Sequence, residues 1–139
     1  MKFVVLIIVS ISLFACSDKE NQVPDVPVNF RASLNDPRIS ALNGAGGAVS
    51  ISGYGVAGII IYRRADNAYV AYDRCSTVNP EQKCAVTIDN PNLTVTDACS
   101  GAKYSLYDGA PVKAPAKRGL KQYQVNVSSV EISVINYWK

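Results

Sequence analysis

The chain has 139 residues, of which 48% are hydrophobic and 18% charged, with a formal net charge of +3, nine glycines, seven prolines, four cysteines and no histidine. Charged residues are scarcer than in an average soluble domain while the apolar fraction is ordinary, which fits one compact domain rather than a long disordered chain. The lack of imidazole excludes Ser-His-Asp and Cys-His nucleophile systems and any metal site that needs histidine, leaving carboxylate, lysine, tyrosine or thiol chemistry, or none.

Lys2 precedes thirteen uncharged residues, Phe3 to Ala15, and then Cys16-Ser17-Asp18. A spanning helix needs about 20 apolar residues, so residues 1–15 have signal-peptide proportions instead. Leu13-Phe14-Ala15-Cys16 resembles the lipobox of bacterial lipoproteins, whose cysteine thiol is acylated and becomes the first mature residue; Phe14 departs from the small or β-branched residue usual there. Cys16 is therefore the expected lipidation site, palmitate among its acyl chains, and the membrane is a partner through that anchor, each buried methylene contributing about 0.8 kcal/mol. Residues 16–26 are polar, proline-containing and without periodicity, which reads as a linker from bilayer to domain. A serine after the lipidated cysteine resembles outer-membrane sorting, and the acidic Ser17-Asp18-Lys19-Glu20 stretch is similar to export tags of surface lipoproteins. The expected location is the bacterial outer membrane, on its periplasmic or its surface face. Either side is oxidising, so Cys75, Cys84 and Cys99 are disulfide candidates. Without residues 1–15 the charge falls to +2, too little to argue for nucleic acid.

From residue 27 onward period two dominates. Val28, Phe30, Ala32 and Leu34 alternate with Asn29, Arg31 and Ser33, the pattern of a half-buried strand. Gly58 to Tyr62 fits a central strand, turned at Ala65-Asp66-Asn67 into Ala68 to Tyr72. Ala85 to Asp89 and Leu93 to Asp97 flank an Asn90-Pro91-Asn92 turn. Lys103 to Tyr107 ends at Asp108-Gly109, and Leu120 to Val127 with Val130 to Ile135 forms a closing hairpin through Ser128-Ser129. Short strands at this spacing, with no long amphipathic helix, predict a single all-β domain over 27–139, a sandwich or barrel. Gly44-Ala45-Gly46-Gly47 and Gly53-Tyr54-Gly55 match no phosphate-binding pattern and read as bends and bulges. The tyrosines sit mostly at strand positions, where aromatic rings pack.

From Val56 the order of motifs resembles a Rieske iron–sulfur domain: a strand pair ending at Cys75, a variable loop, Gly101-Ala102-Lys103-Tyr104-Ser105-Leu106, the Asp108-Gly109 turn, Ala114-Pro115-Ala116, and Leu120-Lys121-Gln122-Tyr123-Gln124-Val125. The resemblance covers about 70 residues and implies a Rieske-like antiparallel β-sandwich or barrel with a disulfide-bridged loop pair. It also implies a degenerate cluster site. With Gly101 on the family glycine, Ser100 stands at the second histidine and Asp97 at the second cluster cysteine, while Cys75 keeps the first cysteine position and Thr77 replaces the first histidine. A Rieske centre needs two thiolates on one iron and two imidazoles on the other, so no cofactor and no metal are expected. The same alignment puts Cys99 and Cys84 where Rieske proteins of cytochrome bc complexes carry a structural pair. Cys84–Cys99 is the implied disulfide, with Cys75–Cys99 the alternative, and one thiol remains either way.

Lys113, Lys117, Arg118 and Lys121 cluster beside Pro111 and Pro115. The corresponding Rieske loop meets the redox partner, so a docking loop for an acidic partner is one reading and a solvated loop the other. The sequence thus leads to a lipid-anchored, non-catalytic envelope protein with a cluster-free Rieske-like domain, acting as a binding or structural accessory to an envelope protein partner not identifiable from sequence. The competing expectation is an electron-transfer or thiol-redox protein built on Cys75, Cys84, Cys99 and Asp97.

Overall fold

The computed structural model describes residues 22–136. Residues 1–15, expected from the sequence to be a signal peptide, and Cys16 lie outside the described residues, as do Tyr137 and Trp138. Ten strands follow in chain order: β1 (Val28–Ser33), β2 (Ala48–Ile51), β3 (Ile59–Arg63), β4 (Tyr69–Asp73), β5 (Thr87–Ile88), β6 (Thr94–Thr96), β7 (Lys103–Ser105), β8 (Pro111–Lys113), β9 (Gln122–Val127) and β10 (Glu131–Asn136). They form a six-stranded sheet in the order β1-β10-β9-β4-β3-β2 and a four-stranded sheet in the order β5-β6-β7-β8, with antiparallel pairing throughout.

The alternation in β1 is realised: Val28, Phe30 and Ala32 are buried while Asn29, Arg31 and Ser33 face water. β3 and β4 are buried on both faces, which explains their unbroken apolar runs. Ile59, Ile61 and Ala71 face one core, shared with β1, β9 and β10. Ile60, Tyr62, Val70 and Tyr72 face a second core, closed by Val86, Val95, Ala102, Tyr104, Leu106 and Leu120. Tyr62, Tyr72, Tyr104 and Tyr123 are buried.

Two strands had no signature in the sequence. β2 follows a glycine-rich bend, and β8 is a three-residue edge strand with a proline and two exposed side chains. A 3₁₀ helix over Pro37–Asn43 connects β1 to β2; the Asp36 carboxylate accepts the Arg38 N–H at its start, and Ile39 and Leu42 plug the first core.

Of the linker over 16–26, residues 22–26 are described, and they lie against the domain. Val23 is buried, Asp25 is ion-paired with Lys121, and the Val26 carbonyl accepts from Asn136 Nδ2 at 2.8 Å. Among the described residues no helix is long and apolar enough to cross a membrane.

Candidate functional site

Three loops converge at one end of the small sheet. The first leaves β4 and returns to β5, closed by a backbone bridge between Cys75 and Ala85 and by the Ser76 N–H donating to the Cys84 carbonyl at 2.8 Å. The second joins β6 to β7 and is a tight turn in which Gly101 N–H donates to the Asp97 carbonyl and Asp97 N–H to that of Ala102. The third, between β8 and β9, carries the basic cluster. A disulfide joins Cys84 in the first loop to Cys99 in the second, with Cα atoms 6.3 Å apart, within the range an unforced bridge spans. This is the pairing that the resemblance implied; Cys75 is the remaining thiol, and it is buried.

Asp97 is fully buried, and its carboxylate organises the tip. Oδ2 accepts from the hydroxyls of Ser76 at 2.7 Å and Ser100 at 2.5 Å, and Oδ1 accepts the Cys99 N–H at 2.9 Å. Burial by itself raises this carboxyl's pKa, but the hydroxyl and backbone donors outweigh it and hold the group below the ordinary aspartate value. Tyr104 Oη lies 3.1 Å from Ser76 Oγ and 3.0 Å from Thr77 Oγ1, and Thr77 donates to the Arg118 carbonyl at 2.8 Å, tying in the third loop. The protons can be accounted for: Ser76 gives its own to Asp97, Thr77 to Arg118, and Tyr104 has one to share between two oxygens.

The fold brings Thr77, Asp97 and Ser100 into one network, as the alignment places them, through two residues that sequence reasoning missed. Ser76 carried no signal between Cys75 and Thr77, and Tyr104 read as an ordinary core aromatic. Cys75 stands beside this network with its sulfur elsewhere, 3.6 Å from the Ser76 carbonyl oxygen and 3.5 Å from that of Pro80. Burial, then the Asp73 charge, push its thiol up to about 11.

A second buried carboxylate lies at the root of the first loop. Asp73 Oδ2 accepts from Val56 N–H and Tyr123 Oη, each at 2.6 Å, and Oδ1 accepts from Cys75 N–H at 2.7 Å and Ala57 N–H at 3.2 Å. Burial and this bond to Asp73 raise the Tyr123 phenol well above its ordinary value. Gly55 is required here: its φ is +65°, and a Cβ would fall 2.3 Å from Asp73 Oδ2.

This donor set does not fit an iron–sulfur cluster. Hydroxyls of Thr77 and Ser100 stand at the positions that the resemblance assigns to imidazoles, and the Asp97 carboxylate is already taken up by three hydrogen-bond donors. Cys75 is held protonated against backbone carbonyls. The Sγ atoms of Cys84 and Cys99 and one Asp97 oxygen lie within 4.8 Å of one another, but the sulfurs are bonded to each other and are not thiolates.

In the basic loop, Lys113 and Lys117 are exposed, Lys121 is engaged by Asp25, and the Arg118 backbone anchors Thr77. Gln22, Val23, Thr77, Arg118, Gly119 and Lys121 line a cavity of about 280 Å³ between this loop and the N-terminal segment.

No family model and no curated protein matches the chain. Solved structures do. The cyanobacterial plasma membrane Rieske protein from Synechocystis PCC 6803 superposes with a TM-score of 0.56 at 20% identity, covering 81% of this chain and 99% of that one. The ferredoxin of Sphingomonas yanoikuyae B1 gives 0.52 at 15% identity, covering 74% and 100%. At such identities the likeness is one of fold, and it agrees with the antiparallel all-β architecture: the domain has a Rieske-like β fold.

Proposed function

We propose that this chain is a bacterial outer-membrane lipoprotein, anchored through Cys16, whose Rieske-like domain carries no iron–sulfur cluster. It serves as a non-catalytic binding or structural accessory to an envelope assembly. The observation that supports the reading is the saturated network of Ser76, Thr77, Asp97, Ser100 and Tyr104 at the loop tip. Each polar atom there is committed to a neighbour, so the tip is built as a structural joint between loops, with the disulfide as its covalent counterpart. The anchor rests on the apolar run ending at Cys16. One structural neighbour is named as a plasma membrane protein, which supports membrane association without bearing on the choice of membrane or the anchor.

Cross-linking in intact envelopes, followed by purification of the chain, tests the role. A defined envelope protein should be recovered, and the purified chain should be colourless. A visible iron–sulfur absorption band, or redox turnover with a soluble acceptor, would refute it. Cys16→Ala should leave an unprocessed, unacylated precursor; normal processing in that variant would remove the anchor.

A further inference from the structure

The described chain begins against the loop tip, and this fixes which end of the domain an anchor can reach. Five residues separate Cys16 from Gln22, and the six Cα steps between the two, however arranged, span at most about 22 Å. A domain of this size has a radius of gyration of about 13 Å and a breadth of about 35 Å. Gln22 and Val23 share a cavity with Thr77, Arg118 and Gly119, so the leash enters at the tip. The opposite pole is the β9–β10 hairpin turn at Ser128–Val130, since β9 runs six residues away from Lys121. With the leash shorter than the domain is broad, that pole cannot touch the bilayer, whereas the tip and its flanks can.

Charge chooses among the surfaces that remain. Among the described residues Arg31, Arg38, Arg64, Lys103 and Lys121 each pair with a carboxylate. Lys83, Lys113 and Lys117 have no such partner and are exposed. Lys83 lies on a tip loop beside the disulfide, Lys117 on the loop that borders the N-terminal segment, and Lys113 ends β8 where that loop begins. Among the described residues Glu81, and Asp25 in its pair with Lys121, are the acidic residues near them. Val112, next to Lys113, is 55% exposed and adds an apolar contact.

We propose that the tip, with Lys83, Lys113 and Lys117, docks onto anionic phospholipid headgroups of the membrane that holds the chain's own anchor. This rests on lipidation at Cys16 and names the surface the domain presents to the bilayer. The end of the fold that would carry a cluster is then turned to lipid, and the Ser128–Val130 pole is offered to other envelope components. Each basic side chain at an anionic surface favours the docked orientation about fivefold.

The test uses lipidated protein purified from envelopes and reconstituted into vesicles. A single fluorophore is placed through Val112→Cys or Ser129→Cys. Cys75 does not compete for label because it is 0% exposed. Doxyl-labelled lipid in phosphatidylglycerol vesicles should quench the probe at 112 and spare the probe at 129. Lys113→Glu with Lys117→Glu should lower the ratio of docked to undocked orientations by about 25-fold or more. The same quenching in purely phosphatidylcholine vesicles, equal quenching at both probes, or protection at 112 found only in whole envelopes would overturn the docking. Intact mass of the same sample separates this from the anchor: protein without acyl chains refutes the lipoprotein reading and the docking with it, whereas acylated protein with no preference between probes refutes the docking alone.

Discussion

Replacing Asp97 tests whether the tip is a structural joint. The carboxylate takes two hydroxyl donors and one backbone N–H, and it is fully buried. Hydrogen bonds to a charged group contribute about 1.5–3 kcal/mol each, and a buried donor left without a partner costs about 1–3 kcal/mol. In Asp97→Ala the half-buried Ser100 hydroxyl can turn to water and Ser76 keeps Tyr104, so the losses do not add in full; the expected cost is about 3–5 kcal/mol. Asp97→Asn keeps an acceptor for Cys99, and both hydroxyls can rotate to accept from the new amide, which limits the cost to about 1–2 kcal/mol. The two variants also differ from wild type in acid. The folded carboxyl titrates below its ordinary value of 3.8, so the unfolded chain takes up the proton first as pH falls. The stability this group supplies is complete above the unfolded value and is lost as pH drops toward and through the folded one. Urea unfolding at pH 7 and in steps to pH 3 measures both effects. An alanine variant within about 1 kcal/mol of wild type, or an asparagine variant whose stability falls in acid as steeply as wild type, would refute the reasoning.

Three further outcomes follow from the same geometry. Cys99→Ser should lose about 3 kcal/mol, the loop-closure value for a 15-residue separation, and reduced wild type should match it in urea melts; an unchanged midpoint would show the bridge contributes nothing. Gly55→Ala should cost more than about 2 kcal/mol in thermal unfolding, because it adds left-handed strain and pushes a methyl into Asp73, whereas a loss under about 0.5 kcal/mol would contradict the tight approach. Cys75, buried and with its thiol pushed up to about 11, should stay unreactive to an aromatic disulfide reagent at pH 8 and react at once in denaturant; rapid reaction of native protein would place it elsewhere.

The strands that alternate or run apolar were legible because burial alone sets their pattern. β1 shows it through Val28, Phe30 and Ala32, and β3 through three isoleucines enclosed by two cores. β2 and β8 were not, since their pairing is decided by neighbours: β8 exposes Val112 and Lys113 and is held by its register with β7. The Cys84–Cys99 pair was legible through the resemblance. What Thr77, Asp97 and Ser100 do at the tip was not. Ser76 becomes part of the site only because β6 and β7 deliver Asp97 and Tyr104 beside it, 21 and 28 residues along the chain. Asp73 ends β4, a position that carries no sign of its partners, and its donors Val56 and Tyr123 lie 17 and 50 residues away. Linear patterns report which face is buried; they do not report which distant donors meet there.

In the proposed reading hydrogen bonds and a disulfide occupy the tip where a Rieske cluster would sit, and iron and acid-labile sulfide measured on protein exported and purified natively, with an electron paramagnetic resonance spectrum after dithionite reduction, test it. No histidine is present in the chain, Thr77 and Ser100 are committed to oxygen partners, and two of the three thiols of the domain are joined. Far less than one iron per chain and no Rieske-type signal are expected. Stoichiometric iron with matching sulfide would contradict the reading, and would require Asp97 to release its donors and the bridge between the first two tip loops to open.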